Sequence, residues 1–291
     1  MTPAGPDPGS ARAVARGATR VSAPVVIKLG GRALEVRGAR HELAAALARI
    51  PGPRVLVHGG GAEVSAWCER LGLEPQFLDG LRLTDGHTLE VAVAVLAGLA
   101  NKRLVAALRA AGLDAVGLSA LDGGIATAAL HPRAERLGEV GCVRSIEPAL
   151  IETLLARGHV PVLASIAALD DRLLNINADD FAAALAGALG ARVLVLLSDT
   201  PGLMLEGERV ARLSSAELPE ALAHPDVQGG MRPKLEAARA ALAAGVARVH
   251  IAAWDGLDTL RDLLAGDTAG RGPQAPGTTI VAGAMAELAR G

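Results

Sequence analysis

Aromatic side chains are almost missing from this chain: its 291 residues include two tryptophans, two phenylalanines and no tyrosine. A core of that size must be filled by Ala, Leu and Val, and such side chains favour helices layered on a buried sheet. Cysteine is equally scarce. Cys68 and Cys142 are too few for a disulfide framework and lack the spacing of a zinc site, which points to a reducing cytoplasm. The formal charge is −2, from 29 basic and 31 acidic residues, so the basic footprint of a nucleic-acid binder is missing and a small-molecule partner is expected. The longest apolar run, from Phe181 to Leu197, is broken by Gly187, Gly190 and Arg192 into a helix end and a following strand, so no membrane span is expected.

Lysine is the most telling scarcity. The 29 basic residues include only Lys28, Lys102 and Lys234, leaving 26 arginines. A composition that uses arginine almost everywhere else keeps a lysine where a compact point charge serves and a planar fork does not.

Residues 1–23 are rich in Pro, Gly, Ala and Arg with one acid, Asp7, and read as a disordered tail rather than a transit peptide. From there β-branched runs alternate with Ala/Leu-rich amphipathic segments, the pattern of βαβ units on a mostly parallel sheet. Strands are expected at Val25 to Leu29, Arg54 to His58, Val160 to Ala164, Arg192 to Ser198, Arg248 to Ala252 and Thr278 to Ala282. Helices are expected near Arg40 to Arg49, Gly61 to Leu71, Thr88 to Ala111, Pro148 to Ala156, Met231 to Ala244 and Leu257 to Leu264. Between Asp114 and Val143 the segments shorten and glycines crowd in, which reads as a small antiparallel excursion able to act as a flap. No long linker divides the chain, so two lobes would share one sheet.

Five places carry chemistry. Lys28 to Gly31 and Gly59 to Gly61 are glycine turns after strands, where unpaired N–H groups and a helix dipole can hold an oxyanion. Either turn alone is equally well explained by ordinary turn geometry. The third place is Asn175-Ile176-Asn177-Ala178-Asp179, two amides and a carboxylate where a strand runs into a helix. Locally this is as good an N-cap as a ligand site. Arg82 offers a fork for a carboxylate, and Lys234 a second ammonium. Familiar schemes fail on spelling: Val64 stands where a Rossmann turn needs glycine, and neither G-x-S-x-G nor a Walker A motif occurs. Two lysines from opposite ends of the chain suit phosphoryl transfer, which needs positive charge and alignment more than covalent help.

The blocks VVIKLGG, VLVHGGGAEV, FLDGLRLTD, GLANKRLV, GLSALDGG, LGEVGCV, LLNINADDFAAALAGAL, LVLLSDTPGL, GGMRPKLEAA and GVARVHIA follow one another in the order and spacing of a known family. Over about residues 24 to 282 the chain resembles the acetylglutamate kinases of the amino-acid kinase family. The resemblance implies a three-layer αβα sandwich around a largely parallel eight-stranded sheet. Residues 24–170 would form an amino-acid-substrate lobe and 171–291 an ATP-binding lobe. The activity implied is transfer of the ATP γ-phosphoryl to the side-chain carboxylate of N-acetyl-L-glutamate in arginine biosynthesis, with Mg²⁺ arriving on the nucleotide. By matched position, Lys28 and Lys234 would be catalytic and Asp179 would organise them. Gly60, Gly61, Arg82, Asn175 and Asn177 would hold the acetylamino acid. Gly30, Gly31, Gly59, Ser198, Asp199, Thr200, Pro201, Gly202, Leu203, Met204, Asp226, Val227, Gln228, Gly230 and Met231 would contact the nucleotide.

Departures from the family pattern bear on regulation. Ala120 replaces a common glycine, and a Pro/Gly-rich insertion precedes Gly277. The acidic, phenylalanine-bearing C-terminal pattern of arginine-inhibited members is missing, and the N-terminal tail is unsuited to their hexamer-forming helix. An arginine-insensitive homodimer is the expectation. Relatives that act on N-succinylglutamate, or on aminoadipate or glutamate linked to a carrier protein, share the same motifs. A chain that senses arginine or acetylglutamate without chemistry is disfavoured, because both lysines and Asp179 are retained.

Overall fold

A computed structural model describes residues 22–30, 34, 37–265 and 276–283. The tail expected over 1–23 therefore lies almost wholly outside the described residues, as does the Pro/Gly-rich stretch over 266–275. In chain order the strands begin with β1 (Val25–Leu29), β2 (Arg54–His58), the hairpin β3 (Phe77–Leu78) and β4 (Leu81–Arg82), and β5 (Ala115–Ser119). They continue with β6 (Ala126–Leu130), β7 (Val140–Ile146), β8 (Val160–Ala164), β9 (Ile166–Leu169) and β10 (Arg172–Ile176). The last are β11 (Val193–Ser198), β12 (Met204–Leu205), β13 (Glu208–Arg209), β14 (Arg212–Ser214), β15 (Arg248–Ala253) and β16 (Thr278–Val281).

Eight of these form one sheet in the order β14-β16-β15-β11-β1-β2-β8-β5. Six run parallel; β16 pairs antiparallel with β15 and parallel with β14. Side-chain alternation builds the three layers. Val25, Ile27, Leu56 and Val195 pack with Leu43, Leu47, Leu104 and Leu260 of the helices on one face. Val26, Val55, Leu194 and Ile251 pack with Ile151, Phe181 and Leu235 on the other. Phe181 is fully buried, and the rest of that cluster is aliphatic, as the shortage of aromatics predicts. Each buried Val, Leu or Ile contributes about 1.5–3 kcal/mol, so many small increments replace a few aromatic anchors.

The expected antiparallel excursion is only partly right. Ala115–Ser119 pairs parallel with β8 along the edge of the main sheet. Strands β6 and β7 are antiparallel as expected, yet they close with β9 and β10 into a small four-stranded barrel. Neither β9 nor the barrel shows in the sequence, because its ring is completed by strands about 40 residues apart in a stretch with weak alternation. The helix expected from Thr88 runs from Gly86 to Ala110, and by length and composition it could cross a membrane. Here its Leu104 and Leu108 pack into the sheet face, and its middle, Ala94–Ala100, is π-helical.

The connectivity locates a crevice. From β1 the chain moves to β2 on one side and only later to β11 on the other. At such a switch point the loops leaving neighbouring strands diverge, opening a cleft at the strands' C-terminal ends. Lys28 to Gly30, Gly59 to Gly61 and Ser198 to Gly202 all leave strands at that edge.

Candidate active site

Alternation along β1 decides where Lys28 goes. Ile27 and Leu29 face one helix layer, so Lys28 points with Val26 toward the other, where the helix Ala178–Ala188 crosses β1. That helix starts at Asn177, whose side chain accepts from the backbone N–H of Asp179 at 2.8 Å and of Asp180 at 3.2 Å. The cap sets the first turn so that Asp179, 5% exposed, meets the lysine. Lys28 Nζ lies 2.9 Å from Asp179 Oδ1. Lys234, in the first turn of the helix Met231–Ala243, reaches the other oxygen at 3.4 Å and donates to the Gly230 carbonyl at 3.2 Å. One carboxylate thus bridges two ammonium groups brought together from residues 28, 179 and 234.

The charges are strongly coupled. Burial alone would push the Asp179 carboxyl up, but the ammonium groups of Lys28 and Lys234 outweigh it and hold the group below the usual carboxylate range. Burial pulls the Lys234 ammonium down, opposed by Asp179. The helices Gly61–Arg70 and Met231–Ala243 begin without a side-chain cap, at Gly60 and Gly230, so their N–H groups and dipoles add positive potential. Gly30 leaves room for that ammonium: a Cβ there would sit 2.9 Å from Lys28 Nζ.

Lys28 and Asp179 line a cavity of about 270 Å³ that also takes in Gly30, Gly59, Gly60, Gly61, Arg82, Asn175 and Asn177. This is the size of a small-metabolite site. Arg82 reaches the cavity from the hairpin β3–β4, its guanidinium 4.7 Å from the Phe77 ring centre. Its Nη2 donates to Gly61 O at 2.6 Å and Ser65 Oγ at 2.7 Å, while Nη1 is buried without a hydrogen-bond partner. A buried donor left open on a cation is costly unless something completes it, and a carboxylate is the matching group. Asn175 donates to Thr84 Oγ1 at 3.3 Å. Asn177 does both things expected of it: its oxygen caps the helix, and the residue lines the cavity.

Gly30 and Gly59, expected at the nucleotide, line that same cavity, and the other described residues expected there lie in the loops after β11 and at the start of the helix Met231–Ala243. Ser198 and Thr200 share a hydroxyl hydrogen bond of 2.8 Å at the end of β11. Gly202 has φ +128°, where a Cβ would meet Thr278 Oγ1 at 2.7 Å. The Leu203 N–H donates to that same oxygen, and the side chains of Leu203 and Val227 are buried in the core. Asp226 accepts from the Glu206 N–H, which ties the two loops together, and Gln228 donates to Pro225 O within its own loop. Met204 is partly exposed, and Met231 packs on the core. Asp199 contributes an attraction to Lys234, and Pro201 is exposed. Gly31 lies outside the described residues.

This geometry has counterparts. The sequence pattern of the "Amino acid kinase family" matches residues 23–253. The chain belongs to the amino acid kinase family. Among curated relatives, the acetylglutamate kinase of Methanopyrus kandleri is 46% identical over 244 residues, 80% of this chain and 96% of that protein. The acetylglutamate kinase of Koribacter versatilis is 42% identical over 263 residues, 89% and 98% of the two chains. Among solved structures, smu.665 from Streptococcus mutans superposes with a TM-score of 0.73 at 28% identity, covering 89% of this chain and 98% of its own.

Several cavity residues of this amino acid kinase escaped sequence reasoning. Ser165, Phe77, Leu81, Leu96 and Val140 line the same space, yet each reads in sequence as ordinary core or turn. Ser165 alone carried a signal, a hydroxyl at the end of a wholly buried strand. Chemically, the site joins a cationic clamp to a bridged lysine pair and offers no carboxylate ready to take a proton. Such a site suits transfer to an acceptor that is already an anion.

Proposed function

We propose that this chain transfers the γ-phosphoryl group of ATP to the side-chain carboxylate of N-acetyl-L-glutamate, giving an acyl phosphate and ADP, as a step in arginine biosynthesis. The observation that carries the reading is that one cavity is lined both by Arg82, with an open donor, and by Lys28 and Asp179, the carboxylate that also holds Lys234. Arg82 holds the α-carboxylate, with Asn175 and Asn177 beside the acetylamino group. The side-chain carboxylate then lies against Gly60 and Gly61, pointing at Lys28.

A carboxylate oxygen attacks the γ-phosphorus as the bond to the β–γ bridging oxygen breaks, and ADP leaves with the electron pair. No proton moves, so no general base is needed. Kinases that phosphorylate hydroxyl groups use an aspartate to accept the hydroxyl proton. Asp179, held ionised between two ammonium groups, is unsuited to that task and suited to keeping them in place. Lys28 and Lys234 neutralise charge on the transferring and leaving oxygens, each worth about 2–4 kcal/mol of transition-state stabilisation.

Among the described residues no group of three or more His, Cys, Asp or Glu side chains is arranged to hold a metal ion. Mg²⁺ would enter with the nucleotide and would supply charge neutralisation on its phosphates. The division into a substrate lobe over 24–170 and an ATP lobe over 171–291 is part of the same reading, supported by the cavity lying where the two meet at β1. A cytoplasmic homodimer without arginine inhibition completes it; arginine inhibition together with a hexameric mass in solution would contradict that part.

The deciding experiment follows ADP release with N-acetylglutamate, N-succinylglutamate and free glutamate. Turnover of the acetyl compound at the highest kcat/KM is expected. No turnover of it would overturn the assignment, and preference for the succinyl compound would move it to the neighbouring substrate.

A further inference from the structure

Beneath the Gly59–Gly61 turn, on the face of the sheet away from Lys28, lies a buried polar chain that the mechanism above does not use. His58 ends β2 with no exposure to solvent. Its Nδ1 is 2.9 Å from the Gly59 carbonyl oxygen, and its Nε2 is 3.1 Å from the side-chain nitrogen of Asn101, itself wholly buried. Asn101 follows the π-helical turn Ala94–Ala100, and π turns commonly accompany functional sites. Leu96 of that turn lines the substrate cavity against Gly60.

The contacts of Asn101 fix its orientation. Its Nδ2 also lies 3.2 Å from the Leu118 carbonyl and 3.0 Å from the Val162 carbonyl; two acceptors that cannot donate fix this atom as the NH₂, whose two hydrogens are shared among Leu118 O, Val162 O and His58 Nε2. Its Oδ1 accepts from Lys102 Nζ at 2.9 Å, and Lys102 also reaches Gly117 O at 3.3 Å. Gly117 is spaced for this approach: a Cβ there would sit 2.1 Å from Asn101 Oδ1. The Gly59 carbonyl can only accept, so Nδ1 carries the proton, and the nitrogen of Asn101 facing the other side of the ring keeps Nε2 as the acceptor. That proton is donated to Gly59 O. The Gly59 N–H meanwhile donates to Leu29 O at 3.2 Å, at the end of β1. Both polar groups of Gly59 are thus committed before a ligand arrives.

We infer that Asn101, seated by Lys102 and Gly117, is a positioning residue that sets the Nδ1–H tautomer of His58 and so holds the Gly59–Gly61 turn in register for the acceptor carboxylate. The inference deepens the reading of that turn as part of the substrate site and rests on it. It gives the third retained lysine, Lys102, a role away from the chemistry.

Two isosteric changes separate positioning from mere packing. In His58→Asn the amide nitrogen falls where Nδ1 was and still donates to Gly59 O. In His58→Gln the side chain still meets Asn101 but has no donor for Gly59. Loss of one such hydrogen bond is worth about tenfold. His58→Gln is therefore expected to lower kcat/KM for N-acetylglutamate about tenfold through KM, and His58→Asn about threefold or less, at comparable melting temperatures. Equal losses in both variants, or losses that follow melting temperature alone, would overturn the inference. The unaltered enzyme supplies a test independent of refolding: ¹⁵N NMR should show His58 protonated on Nδ1. Proton occupancy on Nε2 in an enzyme that turns over N-acetylglutamate would refute the positioning role alone. Absence of turnover would refute the function while leaving the tautomer open to measurement.

Discussion

Replacing Asp179 by Asn keeps shape and removes charge, and its consequences follow from two distances. Lys28 and Lys234 lie 2.9 and 3.4 Å from opposite oxygens of one carboxylate. The two ammonium groups are then within roughly 8 Å of each other, and at an effective dielectric near 20 their repulsion is about 2 kcal/mol. Removing one member of a buried ionic cluster costs more, about 3–5 kcal/mol, because desolvated charge is left uncompensated. At about 2–4 °C per kcal/mol for a protein of this size, the melting temperature should fall by about 10 °C. The cheapest relief is for Lys234, already pulled down by burial, to shed its proton. Residual activity of Asp179→Asn should therefore decline with rising pH, and at lower pH than in the unaltered enzyme. Loss of an aligned transition-state charge should lower kcat about 100-fold, with little change in KM for N-acetylglutamate because Arg82 is untouched. A coupled ADP assay across pH, read beside thermal melts, checks all three. A variant with kcat within threefold of the unaltered enzyme would refute the idea that the carboxylate organises the lysines.

Arg82→Ala should raise the KM for N-acetylglutamate by about 30-fold or more with a smaller change in kcat, since it removes a charged anchor rather than transition-state charge; a pure kcat effect would place Arg82 elsewhere in the mechanism. Gly30→Ala should lower kcat while sparing stability, because the new methyl group displaces Lys28 Nζ from 2.9 Å rather than any backbone; an unchanged kcat would show that the ammonium has room to spare. Burial holds His58 and His250 neutral down to about 4. The unfolded chain takes up those protons below about pH 6.5 and the folded one only near 4, so stability is lost as pH falls through that window, by about 3 kcal/mol per histidine. Asp180, whose carboxyl burial and Asp179 push up to about 6, takes up its proton in the folded chain before the unfolded one as pH falls and so offsets part of this loss. His250→Asn should flatten the acid limb of the melting curve; an unaltered limb would contradict the buried neutral state.

Much of this site is legible in the sequence for a compositional reason. Against 26 arginines, Lys28 and Lys234 stand out, and Asn175 to Asp179 supplies the carboxylate between them. The parallel strands are legible too, since buried strands are short β-branched runs with turn residues after them. What stays hidden depends on contacts between distant segments. Nothing local shows that Ala115–Ser119 joins the main sheet while β6 and β7 leave it for a barrel. The open Nη1 of Arg82 needs the hairpin folded against Gly61 and Ser65 before it exists. His58 and Asn101 are 43 residues apart, and only the sheet brings imidazole and amide together. Asn177 shows the opposite limit: cap and cavity wall are one residue, so no local argument could have chosen between them.

The central claim is that a carboxylate is the acceptor, and the product tests it most directly. Incubation with Mg·ATP and N-acetylglutamate in the presence of hydroxylamine should yield the hydroxamate of the side-chain acyl phosphate in step with ADP, and none with N-acetylglutamine. ADP release without hydroxamate, or equal turnover of N-acetylglutamine, would contradict it.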